Sequence, residues 1–116
     1  MGRPWLAAVL GPRARTLDLG PLDGVRAGRG RVFDAGQRRI AVFRTRSGEL
    51  YATDARCPHH GESLSDARVA ARLILCPANG SPFNLRTGAS VGGASPNLRT
   101  YATRLSKDGR ILVELD

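Results

Sequence analysis

Glycine and proline interrupt this chain too often for a long helix to form. With fourteen Gly and seven Pro in 116 residues, apolar runs stay short and alternate with turn signals, the rhythm of an all-β sandwich or barrel. Arg31-Val32-Phe33 leads through Asp34-Ala35-Gly36 into the run from Arg39 to Arg44, which predicts a hairpin. Ser47-Gly48 then turns the chain into Glu49 to Thr53, and a loop rich in Pro, His and Gly spans Asp54 to Leu64. Val69 to Ala71 and Arg72 to Cys76 predict two more strands, the second largely buried because it is a continuous apolar run. A second Pro/Gly loop covers Pro77 to Pro82, followed by Phe83-Asn84-Leu85 and the turn Arg86-Thr87-Gly88. Leu98 to Leu105 and Ile111 to Leu115 form the last hairpin, closed by Lys107-Asp108-Gly109, where Asp-Gly supplies the positive φ angles of a tight turn. Residues 1–16 show no period and read as an irregular N-terminal arm; residues 17–116 read as one domain.

A domain of this size buries about two thirds of its unfolded surface. Aromatic residues make up only 5% of it, so Leu, Val, Ile and Ala must fill the core, with Trp5, Phe33, Phe43 and Tyr101 as core or arm anchors. No run approaches the roughly 20 apolar residues of a membrane span. The apolar stretch from Trp5 to Leu10 ends at Gly11-Pro12 and is followed by Arg13 and Arg15. It is too short for the core of a signal peptide, and the chain is expected to be cytoplasmic.

The formal charge of +8 raises the question of nucleic acid. Residues 1–46 hold ten Arg against three acids, a net of +7; residues 47–116 hold seven Arg, one Lys and seven acids, a net of +1. The arginines are scattered, with neither a sustained run nor interleaved aromatics, which argues against nucleic acid. The basic half is suited instead to steering an acidic protein partner. Phosphate loops, Ser/His/Asp groupings and paired carboxylates are missing, so any part in catalysis is expected to be the passing of electrons to or from a separate enzyme.

The chemistry-bearing residues sit in two loops. The first reads Cys57-Pro58-His59-His60-Gly61-Glu62-Ser63-Leu64 and the second Cys76-Pro77-Ala78-Asn79-Gly80-Ser81-Pro82-Phe83. Two cysteines, each in a Cys-Pro turn beside a possible ligand, fit a metal site in a reducing compartment better than a disulfide. With 16 residues between His59 and Cys76, the chain resembles the Rieske [2Fe-2S] ferredoxins, whose pattern is Cys-x-His, a gap of that length, then Cys-x-x-His-Gly. The resemblance runs from about Leu17 to the end. It includes Gly48-Glu49-Leu50-Tyr51-Ala52 before the first loop and Gly92-Gly93-Ala94-Ser95-Pro96 as the family's proline-bearing third loop.

The resemblance implies a Rieske-type antiparallel β-sandwich or barrel with two cluster-binding loops. It implies Cys57 and Cys76 on the inner iron and His59 on the outer iron of a [2Fe-2S] cluster, where imidazole in place of thiolate raises the potential to roughly −150 to +300 mV. The departure is Asn79, at the position of the second His. Its Oδ1 is as far along the side chain as an imidazole Nδ1, but an amide oxygen is a weak ligand for such a site. Three outcomes stay open: a cluster with Asn79 or water as a poor fourth donor, a fold kept without its cluster, or zinc on Cys57, His59 and Cys76 with an open position.

His60 is expected to have no ligand role, since adjacent side chains point apart. Gly61 and Gly80 are expected to turn the loops so that amides face sulfide, and Ser81 stands where some members of the family donate a hydroxyl to a bridging sulfide, a plain loop serine being the alternative. Phe83 stands where high-potential relatives carry Tyr. The implied function is that of an electron carrier resembling the ferredoxin components of ring-hydroxylating oxygenases. Its implied partners are a reductase and a terminal oxygenase or reductase. The other candidate is a clusterless subunit resembling the small subunits of assimilatory nitrite reductases.

Overall fold

A computed structural model describes residues 16–36, 38–58, 61–93 and 96–115. Its nine strands are β1 (Thr16–Pro21), β2 (Arg29–Ala35), β3 (Arg38–Arg44), β4 (Leu50–Asp54), β5 (Arg68–Ala70), β6 (Leu73–Leu75), β7 (Pro82–Asn84), β8 (Thr100–Leu105) and β9 (Arg110–Glu114). They form a six-stranded sheet in the order β1-β9-β8-β4-β3-β2 and a three-stranded sheet β5-β6-β7, with antiparallel pairing throughout. The all-β architecture follows the sequence expectation. The small sheet is inserted between β4 and β8, so both Cys-Pro loops belong to it or border it.

β3 carries the packing. Its period-2 alternation sends Ile40 and Val42 into a core with Val25, Ile111 and Val113, while Ala41 and Phe43 turn to a second core with Ile74, Phe83 and Leu85. All four side chains on β3 are fully buried, which is why this strand reads as an unbroken apolar run. Gly30 lies opposite Phe43 in the β2–β3 register, and a Cβ there would come 2.4 Å from the ring. The glycine makes room for the aromatic that joins large sheet to small. Outside the cores, Arg72 in the β5–β6 turn makes two 3.0 Å bonds to the Glu49 carboxylate, tying the two sheets at the surface.

Three details differ from the sequence reading. Thr16, assigned to the arm, pairs with Glu114 and opens β1. That strand is hard to see because Gly20-Pro21 ends it after a single Leu17/Leu19 alternation. In the β8–β9 loop Asp108 does not take the positive φ expected of the Asp-Gly pair. Ser106 donates to the Arg110 carbonyl and accepts from Gly109, so the loop has three residues, and Gly109 alone, at +80°, is left-handed. Finally, β5 stops at Ala70, because Ala71 takes a φ of +54° in the turn. Trp5 and the rest of the arm lie outside the described residues.

Candidate metal centre

Both Cys-Pro loops are four-residue hairpin loops of one design. In the first, the Cys57 amide donates to the Glu62 carbonyl at 2.8 Å and the Gly61 amide to the Cys57 carbonyl at 2.7 Å. In the second, Cys76 donates to Ser81 at 2.8 Å and Gly80 to Cys76 at 2.7 Å. The closing glycines have φ of +73° and +77°, and a Cβ on either would meet open space. Glycine is needed there for the backbone angle alone.

The glycine amides close their loops onto the cysteine carbonyls. In the second loop it is the amides of Ala78 and Asn79 that reach the Cys76 sulfur.

The two thiols are brought together. Cys57 and Cys76 are each 1% exposed, lie within hydrogen-bonding reach of one another, and form no disulfide. Burial pushes the Cys76 thiol above the usual range and the neighbouring Cys57 raises it further, while the Ala78 and Asn79 amides pull it back. The apolar wall around the pair is Leu64, Ile74, Phe83 and Leu98. Paired buried thiols beside backbone N–H groups suit a cationic metal centre, which displaces the two thiol protons and leaves thiolates that N–H groups stabilise.

The Asn79 Oδ1 accepts the Ser81 amide at 2.9 Å, capping its own loop. His59 and His60 lie outside the described residues. Among the described residues no group of three His, Cys, Asp or Glu side chains converges as a metal site.

Comparison with known proteins places the architecture. The model of the Rieske-like [2Fe-2S] domain matches residues 17–114. The chain belongs to that family. A curated relative, the ferredoxin component of the naphthalene 1,2-dioxygenase system of Pseudomonas putida, is 32% identical over 79 residues, 67% of this chain and 74% of the relative. The Sphingomonas yanoikuyae B1 ferredoxin superposes with a TM-score of 0.77 at 25% identity, covering 88% of this chain and all of that one. A Mycobacterium tuberculosis protein assigned as an NADH-dependent nitrite reductase small subunit shares the fold, with a TM-score of 0.82 at 22% identity over 89% and 96% of the two chains.

The donor set can be tested against the family's cofactor. The Rieske [2Fe-2S] cluster needs two thiolates at its inner iron, and Cys57 and Cys76 meet that need in identity, burial and juxtaposition. For the outer iron the sequence supplies His59, which lies outside the described residues, and at the second position Asn79, whose Oδ1 accepts the Ser81 amide.

Sequence reasoning found these two loops but missed a feature beside them. Four arginines, Arg38, Arg39, Arg56 and Arg99, line one cavity against Cys57 and Pro58. They come from three separate stretches of chain, so no local pattern could have signalled it.

Proposed function

We propose that the protein is a Rieske-type ferredoxin that carries electrons for an oxygenase-type system. The buried, unbridged thiol pair at the ends of two matching loops carries this reading, since a purely structural domain would gain more from an apolar pair. Cys57 and Cys76 hold the inner iron and His59 the outer one, with position 79 as a weak or water-filled fourth site. The bound [2Fe-2S] cluster supplies one-electron chemistry. The chain's own residues do the rest: Leu64, Phe83 and Leu98 exclude water from the thiols, and the Ala78 and Asn79 amides stabilise charge on Cys76. The kinship with dioxygenase ferredoxin components supports a reductase on one side and a terminal oxygenase on the other.

One observation favours a second reading, a clusterless subunit: the Asn79 oxygen is engaged by Ser81 instead of standing free. Iron and acid-labile sulfide analysis of the purified protein, with its visible spectrum, separates the two. The carrier reading expects brown protein with about two of each per chain. Colourless protein lacking both after cluster reconstitution would replace it with the scaffold reading.

A further inference from the structure

The arginine cavity has a volume of about 520 Å³ and opens beside the first cysteine loop. Arg38 and Arg39 come from the start of β3, Arg56 from the first loop, and Arg99 from the segment leading into β8. Among the described lining residues Asp54 is the one carboxylate, and it accepts the Tyr101 hydroxyl. The cavity wall is therefore strongly positive.

The four guanidinia are held in place by three groups, the Tyr101 ring, the Gly61 carbonyl and the Asp34 carboxylate. Arg38 and Arg99 lie 5.9 and 5.2 Å from the Tyr101 ring centroid, Arg56 donates to the Gly61 carbonyl at 2.9 Å, and Arg39 pairs with Asp34 at 3.0 Å. A guanidinium has five N–H donors, so these anchors leave most of them unused. Heads anchored on separate groups present several binding points spread around a cleft. Such an arrangement matches carboxylates spaced along a peptide better than one small oxyanion. It is also too local to track a nucleic-acid backbone, which needs an extended basic stripe.

We propose that this cleft receives an acidic segment of the protein's redox partner, seating its carboxylates beside Cys57. The proposal rests on the electron-carrier reading and adds to it the docking face and the partner's charge. Arginine suits the role because its fork holds carboxylates bidentately. A docking site against the Cys57 loop also places the partner where electron transfer is short.

The test uses the full chain, labelled with ¹⁵N, and a hexaglutamate peptide as probe, with hexalysine, inorganic phosphate and a single-stranded oligonucleotide in parallel. Hexaglutamate is expected to shift amides of residues 38–39, 54–58 and 97–99, and to lose affinity steeply with salt. Arg39→Gln with Arg99→Gln should weaken it about tenfold, or roughly 1.4 kcal/mol. Arg46→Gln with Arg68→Gln, in a separate cavity, should leave it within a factor of two. Three results would overturn the proposal: equal loss in both double variants, displacement of the peptide by equimolar phosphate, or displacement by the oligonucleotide with loss of that binding in the Arg39/Arg99 variant. Iron and sulfide content is read on the same samples. Metal-loaded protein that ignores hexaglutamate rejects the cleft and keeps the carrier, whereas peptide binding to protein that cannot be loaded rejects the carrier.

Discussion

Asn84 does for its loop what Cys76 does for the one before it. The Asn84 Oδ1 accepts the amides of Arg86 and Thr87 at 2.8 and 3.2 Å, the residues two and three further on. The Cys76 sulfur is bonded by the amides of Ala78 and Asn79, at the same offsets. The backbone closure is shared as well, with Gly88 donating to the Asn84 carbonyl at 2.7 Å and Asn84 to Ala89 at 2.9 Å. The metal loop is thus a hairpin loop that folds on its own hydrogen bonds, with a thiol in the place of an amide oxygen.

It follows that the loops keep their shape without metal. In metal-free protein the Gly61 and Gly80 amides should be protected from hydrogen exchange to about the degree of Gly88. Gly80→Ala forces a left-handed angle on a residue with a Cβ and should cost about 1 kcal/mol in the metal-free chain. Unprotected Gly61 and Gly80 amides beside a protected Gly88 would show that metal, not the chain, shapes the site.

Asn79→His is expected to act in opposite directions with and without metal. Losing the Asn79 cap on the Ser81 amide should cost the metal-free protein about 1 kcal/mol. A second imidazole should raise iron content, slow its loss to chelators and lift the unfolding midpoint of the loaded form. Adding His59→Ala should undo that gain. Chemical denaturation of both forms, with iron analysis, checks the sign reversal.

Gly88 is where the Asn84 loop is pinned to the segment leading into β8. The Leu98 amide donates to the Gly88 carbonyl at 2.7 Å, and a Cβ on Gly88 would lie 1.9 Å from the Leu98 oxygen, with φ at +80°. Gly88→Ala should therefore cost about 3 kcal/mol or more, from strain and overpacking together. Gly92→Ala, at φ +89° but with open space around it, should cost only about 1 kcal/mol. Urea midpoints at unchanged slope would report both.

The chain has two tyrosines, and both are held above the ordinary value of 10.0. Burial acts first on each, followed by Glu49 on Tyr51 and Asp54 on Tyr101, with nearby arginines opposing. A raised pKa stabilises the protonated, folded form. That contribution is complete below pH 10 and is lost as pH rises through the folded values. Absorbance at the phenolate band should titrate above pH 10 in the native protein and near 10 in guanidinium. Asp54→Asn should lower the Tyr101 value and leave Tyr51 in place.

Local chemistry determined what the sequence could say alone. The short runs set the strands from β2 to β9 within a residue or two. Cys57, Cys76, Gly61 and Gly80 marked the two loops, because turns and left-handed glycines depend only on neighbouring residues. The Leu17/Leu19 strand escaped notice, since so short an alternation gains its meaning only from pairing with β9. Tertiary structure decided everything that depends on residues meeting across the sheet order. It set Cys57 against Cys76, turned the Asn79 oxygen onto Ser81 and the Gly80 amide onto a carbonyl, and gathered Arg38, Arg39, Arg56 and Arg99 into one cleft. Side-chain direction and strand neighbours are fixed by the packing of whole sheets, and no window of sequence contains that information.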